Sequence, residues 1–302
     1  MAWSHPKFGI YLSSVGYDKK VKIFKEKNKN KWNKDYIFLE HTNSVNSCEF
    51  SPIEYGLILL CASTDGNISI HEKKKDKWLN QKIVSHLMGV NCLSFGPPFI
   101  SSSIRENNSD ENNINNNTNN NNNNNVNNGN FNKIDNTINK NNSPLRFVTG
   151  GCDNLIKIWT NNPNQNSLVT KKINSQLNFD KKIKKILYKF NITPLEGHSN
   201  WIRGVDWLKS IGSLSETIAS CSEDETVKIW RKISDNWEKY ELNKIFGYPT
   251  WNVKWSHLGT FLAVSAGDNF VYLFKENCDG NWEEYSKMKQ EQNIVSKHRN
   301  NE

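Results

Sequence analysis

A short pattern of apolar and polar positions recurs along the 302-residue chain. Its plainest copy is residues 147–159, FVTGGCDNLIKIW, which runs from apolar and small residues through an aspartate to an alternating segment. Alternation with a period of two is typical of β-strands, and small residues around an aspartate are typical of tight turns. The segment therefore predicts two strands joined by a turn at Asp153.

The pattern occurs five times when the segments are aligned by the turn aspartate. The other copies are LSSVGYDKKVKIF (12–24), LLCASTDGNISIH (59–71), IASCSEDETVKIW (218–230) and LAVSAGDNFVYLF (262–274). Successive aspartates, at Asp18, Asp65, Asp153, Asp224 and Asp268, lie 47, 88, 71 and 44 residues apart. The short intervals match the roughly 40–45 residue period of WD repeats, each of which forms one four-stranded propeller blade.

Further strand signals flank every copy. Upstream segments end on an aromatic residue, at Trp3, Phe50, Phe95, Trp207 and Trp255, and a tryptophan precedes a short segment after four copies. We therefore predict an all-β fold, a WD-repeat β-propeller over 1–288 with five recognisable four-stranded blades. The predicted blades cover about 1–40, 41–85, 86–197, 198–245 and 246–288.

Two insertions interrupt the third predicted blade. Residues 107–142 contain 22 asparagines in 36 positions, a composition that cannot bury enough apolar surface to offset its ordering entropy. We expect this Asn-rich insertion to be disordered. A second loop insertion, at about 160–191, separates the third and fourth strands, and the polar tail at 289–302 is expected to fray.

Composition narrows the chemistry. The net charge of +8 is attributed largely to solvated loops, so nucleic acid is not expected as a partner. The six cysteines form no CxxC pair, which favours buried thiols over a metal site. No apolar run of about 18 residues and no secretory signal is present, which indicates the cytosolic or nuclear side. Without a phosphate loop or nucleophile motif, we expect no enzyme activity, no cofactor and no small-molecule substrate.

The repeats resemble the WD-repeat family, in which a His, a Ser or Thr, the turn Asp and a strand-ending Trp form a hydrogen-bonded chain. The resemblance implies complete sets in the fourth and third copies: His198, Ser220, Asp224 and Trp230, and His86, Thr149, Asp153 and Trp159. The second copy keeps His41 and Asp65 but has Cys61 and His71 in the other places, whereas Asp18 and Asp268 stand in weaker copies. Repetition favours a structural role, because an active site is normally built once.

Three stretches are more specific than a WD repeat: EYGLILLCASTDG (54–66), TGGCDNLIKIW (149–159) and LAVSAGDN (262–269). They resemble the Sec-thirteen family, the WD-repeat subunit of the COPII outer coat and of the nuclear-pore outer ring. That family has six blades and receives a seventh from a partner. Because only five copies are present here, the first family blade is expected to be missing and the ring to be open.

The resemblance implies a non-enzymatic scaffold for ER-to-Golgi transport. It would accept a blade from a rod-like COPII coat subunit and from a nuclear-pore outer-ring subunit. It would lie at the cytoplasmic face of the ER membrane, on COPII vesicles and at the nuclear pore, and would reach membranes only through the coat. Two alternatives remain: a generic WD-repeat adaptor that binds peptides on its rim, and the paralogous pore-only propeller.

Overall fold

The fold is taken from a computed structural model that describes residues 1–98, 144–161, 167–171, 183–209 and 215–289. The predicted Asn-rich insertion at 107–142 and the tail beyond Lys289 lie outside the described residues. Within the described ranges, helical structure is limited to two short 3-10 turns, at Pro6–Phe8 and Ile53–Tyr55. Everything else with regular structure is β-strand, as the alternating pattern predicts.

Five antiparallel sheets of four strands form the blades. The first contains β1 (Ala2–Trp3), β2 (Tyr11–Val15), β3 (Val21–Asn28) and β4 (Lys31–Phe38). The second contains β5 (Val45–Phe50), β6 (Ile58–Ser63), β7 (Asn67–Lys74) and β8 (Lys77–Val84). The third contains β9 (Val90–Phe95), β10 (Arg146–Gly151), β11 (Ile156–Asn161) and β14 (Phe190–Leu195).

The last two sheets have the same order. The fourth contains β15 (Ile202–Trp207), β16 (Thr217–Ser222), β17 (Val227–Ile233) and β18 (Asn236–Glu241). The fifth contains β19 (Thr250–Trp255), β20 (Phe261–Ala266), β21 (Phe270–Glu276) and β22 (Trp282–Lys289). In each sheet we call the first strand in the sequence the inner strand.

The turn aspartate has the same local geometry in all five blades. One carboxylate oxygen accepts the backbone N–H two residues later, at N···O distances of 3.0–3.3 Å. The residue between them has a left-handed backbone, with φ of 63–65° at four non-glycine positions and 81° at Gly66. Asp favours such turns because its short side chain replaces a backbone acceptor. This contact explains why the aspartate is present in every copy.

Neighbouring sheets pack face to face, and burial shows where that packing stops. The second strands of the three interior blades, β6, β10 and β16, are buried at every residue. In β2 and β20, buried residues alternate with half-buried ones, so one face of the first blade and one of the fifth are uncovered. Among the described strands, contacts join each sheet to its successor from first to fifth, and no comparable set of contacts joins the fifth sheet to the first. The propeller is open, as predicted.

The described part of the second insertion includes strands that the sequence did not predict. It contains an antiparallel hairpin of β12 (Ser167–Lys171) and β13 (Ile183–Leu187), which lies near β8 of the second blade. Just after it, the backbone N–H of Tyr188 donates to Gln81 Oε1 (2.7 Å), and Gln81 Nε2 donates to the Tyr188 carbonyl (3.1 Å). The insertion separates β11 from β14 as predicted, but its two strands were not predicted, because contacts with a different blade leave no signal in a basic segment.

Candidate functional site

The fourth blade contains a complete Asp–His–Ser–Trp chain. His198 Nδ1 lies 2.8 Å from Asp224 Oδ2, and His198 Nε2 lies 2.8 Å from Ser220 Oγ. The indole N–H of Trp230 donates to the same hydroxyl at 2.9 Å. These four residues lie in the connection before β15, on β16, in the turn after it and on β17. The chain therefore ties the turn to the body of the sheet.

The third blade repeats this geometry with a threonine. His86 Nδ1 lies 2.7 Å from Asp153 Oδ1, and both His86 Nε2 and Trp159 Nε1 lie 2.9 Å from Thr149 Oγ1. The site also requires Gly151, because a Cβ there would lie 2.4 Å from His86 Nδ1. Gly151 therefore makes room for the imidazole, whereas a Cβ at Gly150 would meet Ile202 and Cys92 instead.

Both chains have one consistent direction of proton donation. A carboxylate only accepts, so the histidine Nδ1 carries the proton and donates it to the aspartate. The hydroxyl then donates to the bare Nε2 and accepts the indole N–H. Ser220 and Thr149 are completely buried, so no substrate reaches either hydroxyl. The Ser–His–Asp connectivity resembles a hydrolase triad, but the buried hydroxyl is already engaged by a tryptophan.

The second blade forms a variant chain through a residue that the sequence analysis missed. His41 Nδ1 lies 2.9 Å from Asp65 Oδ2, and its Nε2 lies 2.9 Å from Ser69 Oγ. His71 Nε2 contacts the same hydroxyl at 2.9 Å, in the place of the indole. Ser69 is directly opposite Cys61 across the β6–β7 pair. The hydroxyl is thus supplied by the neighbouring strand. Ser69 and His71 are two residues apart on β7 and so lie on one face of the sheet, and this spacing could have indicated Ser69 from the sequence.

The terminal blades replace the chain with other contacts. Asp18 is exposed and pairs with Lys22 Nζ at 2.6 Å, which lowers the pKa of its carboxyl. Asp268 accepts a short hydrogen bond from the Tyr272 hydroxyl, and the Tyr272 ring packs edge-on against Phe246. Phe246 stands where the three interior blades have histidine. Sequence reasoning found Asp268 but not its tyrosine partner.

Burial fixes the protonation of these chains. It lowers the pKa of His86 to about 4 and that of His71 to about 3, and it also lowers the pKa of His41 and His198. Burial by itself would raise the pKa of Asp224, but hydrogen bonds from His198 and Thr226 outweigh it and hold that pKa well below its usual range. Asp224 is therefore charged and His198 neutral near pH 7.

The uncovered faces of the first and fifth blades form the other candidate site. We call the face of a blade that the next blade covers its leading face, and the opposite one its trailing face. In the fourth blade, the leading-face residues Ala219, Cys221, Val227 and Ile229 are at most 1% exposed beneath the fifth blade. Their counterparts in the fifth blade are only half-buried: Ala263, Ser265, Val271 and Leu273.

The trailing face of the first blade is uncovered in the same way. Trp3, Leu12 and Phe24 are cross-strand partners on this face. Trp3 is 61% exposed, whereas its counterparts Phe95 and Trp207 are at most 1% exposed in the interior blades. Two apolar sheet faces therefore lack the cover that every interior face has.

Other kinds of site find no support in the described ranges. No group of three or more His, Cys, Asp or Glu side chains is arranged there to hold a metal ion. The same ranges contain no helix long and apolar enough to span a membrane.

Comparison with known families supports the repeat assignment. The family described as WD domain, G-beta repeat matches residues 32–72 and 189–231. Each match begins with the outer strand of one sheet, β4 or β14, and ends with the third strand of the next. The sequence repeat is therefore offset by one strand from the blade.

Known proteins are similar over nearly the whole chain. "Protein transport protein sec13" of Aspergillus clavatus is 37% identical over 295 residues, which cover 94% of this chain and 81% of that protein. "Protein transport protein SEC13" of Yarrowia lipolytica is 36% identical over 286 residues, with coverage of 94% and 78%. "Protein SEC13 homolog" of Drosophila melanogaster is 33% identical over 288 residues, with coverage of 93% and 66%.

The complete chain in the fourth blade predicts a selective loss of stability. We expect Asp224→Ala to lower the free energy of unfolding by about 1–3 kcal/mol, because His198 and the neighbouring N–H groups lose a buried acceptor. Asp18→Ala is the matched control, and its melting temperature should stay close to that of the unmodified protein. Thermal unfolding monitored by circular dichroism measures both. Equal melting temperatures for the two variants would contradict a structural role for Asp224.

The buried histidines predict a loss of stability in acid. An unfolded histidine has a pKa near 6.5, whereas that of His86 is about 4 in the folded protein. Between these values the unfolded chain binds more protons, so the free energy of unfolding falls as the pH falls, by up to about 1.4 kcal/mol per pH unit for each proton. Below about pH 3.9 the aspartates with lowered pKa add to this loss. Urea unfolding from pH 7 to pH 4.5 measures the slope, and a constant stability over that range would contradict the assignment.

Proposed function

Since the chain belongs to the Sec13 family of WD-repeat protein-transport proteins, we propose that it is a non-enzymatic scaffold that accepts a blade from a rod-like partner. The proposed partners are a rod-like subunit of the COPII coat, in ER-to-Golgi transport, and a subunit of the nuclear-pore outer ring. The proposed locations are the cytoplasmic face of the ER membrane, COPII vesicles and the nuclear pore. The main observation in support is the pair of uncovered apolar faces, the leading face of the fifth blade and the trailing face of the first. We call the space between these two faces the gap.

The leading face of the fifth blade supports this proposal directly. Ala263 and Leu273 are cross-strand partners there, and their counterparts Ala219 and Ile229 are fully buried by the next blade. A sheet face of this composition gains free energy when a further sheet removes it from water. A partner that supplies a sheet of blade dimensions would therefore find the same packing surface that joins the fourth and fifth blades.

A second candidate function is peptide binding on the rim, as in a generic WD-repeat adaptor. The observation in its favour is an aromatic cluster between the fourth and fifth blades. The Arg203 guanidinium carbon lies 5.2 Å from the Trp201 ring centre and 5.3 Å from that of Trp251, and both tryptophans are more than a third exposed. Weak, exchangeable binding of peptides that depends on these two rings would favour this function over blade acceptance.

Blade acceptance predicts that one charged substitution at the gap prevents complex formation. We expect the unmodified chain to form a one-to-one complex with the blade-forming segment of the rod-like coat subunit, with little dependence on salt because apolar burial drives it. Leu273→Glu should abolish the complex, since it places a charge in the packed face. Leu87→Glu is the control, because Leu87 is exposed and lies in the connection between the second and third blades. Size-exclusion chromatography with light scattering after co-expression measures the stoichiometry.

Two outcomes would overturn the proposal. One is that the unmodified chain is a monodisperse monomer and forms no complex with the rod segment at low or high salt. The other is a complex that Leu273→Glu and Leu87→Glu leave equally intact, which would favour binding at the rim.

A further inference from the structure

A series of hydrogen bonds joins the inner strands of successive blades. It involves the next-to-last residue of the inner strand in the second, third and fourth blades, whose side chain accepts the backbone N–H of the last residue of the next inner strand. Glu49 Oε2 accepts from Phe95 at 3.0 Å, Ser94 Oγ from Trp207 at 3.3 Å, and Asp206 Oδ2 from Trp255 at 2.9 Å. Three successive contacts between blades therefore use the same pair of positions.

In the fifth blade, this position holds a hydrogen-bond donor in place of an acceptor. The corresponding residue of the fifth blade is Lys254, whose ammonium group can donate hydrogen bonds but cannot accept them. Its Nζ donates to Asp206 Oδ1 at 2.8 Å, and its side chain is 55% exposed. Asp206, the residue in this position one blade earlier, is only 9% exposed because the fifth blade covers it. A blade seated on the fifth would cover Lys254 in the same way.

The first blade has no side-chain acceptor for Lys254 at the corresponding position of its inner strand. By the same register its inner strand would present Ala2 and the backbone N–H of Trp3, and Lys254 would then face a donor. Asp206 belongs to the fourth blade and already accepts from Ser94, Lys254 and Trp255. The fifth blade is therefore poorly matched to the first and better matched to a strand with an acceptor.

A second cation marks the same face nearer the outer strands. In the fourth blade, Arg231 on β17 pairs with Glu276 of the fifth blade, so a leading-face cation meets an acid on the next sheet. The counterpart of Arg231 is Lys275, which is exposed and opposite Phe261 across the β20–β21 pair. No ion pair joins Lys275 to another residue within the described part of the chain. Lys254 and Lys275 thus give the leading face two cations at different distances from the ring axis.

We infer that the blade received at this gap is acidic on its docking face, with an Asp or Glu on its inner strand that pairs with Lys254 and a second acid that pairs with Lys275. This inference rests on the proposed function and specifies the partner's chemistry. Covering an ammonium group leaves its remaining N–H donors without water, so an acceptor on the incoming strand is required. A carboxylate at that position supplies both the acceptor and the opposite charge.

The charge state of Lys254 is consistent with this role. Burial by itself would lower the pKa of its ammonium group, but the nearby carboxylates of Asp206 and Glu49 outweigh burial and raise that pKa. The side chain therefore stays charged throughout the physiological range, and the incoming strand meets a permanent cation.

Competition for a limiting amount of the partner tests the inference. The unmodified chain and one variant are co-expressed with a tagged blade-forming segment of the rod-like coat subunit, and mass spectrometry measures the ratio bound. We expect Lys254→Met to be outcompeted about tenfold, Lys254→Arg to stay within about threefold, and Lys275→Glu to be outcompeted at least threefold. Lys77→Glu, an equal change of charge on the outer strand of the second blade, should compete equally.

Further outcomes separate this inference from the function on which it rests. If the unmodified chain does not bind the segment at all, the proposed function itself fails. If it binds, and both Lys254→Met and Lys275→Glu compete equally while retaining their circular dichroism spectra, blade acceptance stands and the acidic docking face is wrong. An exchange of charges would identify the partner carboxylate. We expect one Glu→Lys or Asp→Lys change in the inner strand of the segment to make it bind the Lys254→Glu variant in preference to the unmodified chain.

Discussion

The structure depends on one constraint: each blade must have its leading face covered by the next blade. In the fourth blade this cover removes Ala219, Val227 and Ile229 from water, and the same arrangement recurs from the first blade to the fourth. The fifth blade has equivalent apolar positions and no successor. Because burial of apolar surface is the main favourable term in such packing, the uncovered face is both the least stable part of the ring and its most favourable place for association.

Stabilisation within the blades is distributed unevenly. All five turn aspartates accept the N–H two residues later, so this contact defines the repeat. Only the three interior blades add a buried histidine, and each combines it with a hydroxyl. The terminal blades use Lys22 and Tyr272 instead. The blades with the fullest hydrogen-bonded chains are thus those covered on both faces, where an unpaired polar group would cost the most.

Sequence periodicity was sufficient to predict the five blades, because strand alternation and the turn aspartate are both local signals. The contact between His198 and Asp224 was implied by the resemblance to the WD-repeat family, and periodicity alone would not have indicated it. Periodicity could not place Ser69, because the hydroxyl moved from one strand to its neighbour and only cross-strand register reveals that the two positions are adjacent. The pairing of β12 with β13 and the contact of Lys254 with Asp206 were likewise missed. Both depend on contacts between blades, and the repeat pattern carries no information about which blade lacks a neighbour.

The rate at which a thiol at the gap reacts tests the central claim most directly. Ala263→Cys and Ala219→Cys place one cysteine at equivalent positions on the uncovered and covered leading faces, and Cys278→Ser removes the exposed native thiol from both proteins. The rate of alkylation is measured with and without the rod segment. If the leading face of the fifth blade is uncovered, labelling at residue 263 is fast in the free chain and at least tenfold slower in the complex, whereas labelling at residue 219 is slow in both. Equally slow labelling at the two positions in the free chain would show that the fifth blade is already covered, and the propeller would then not be open at this face.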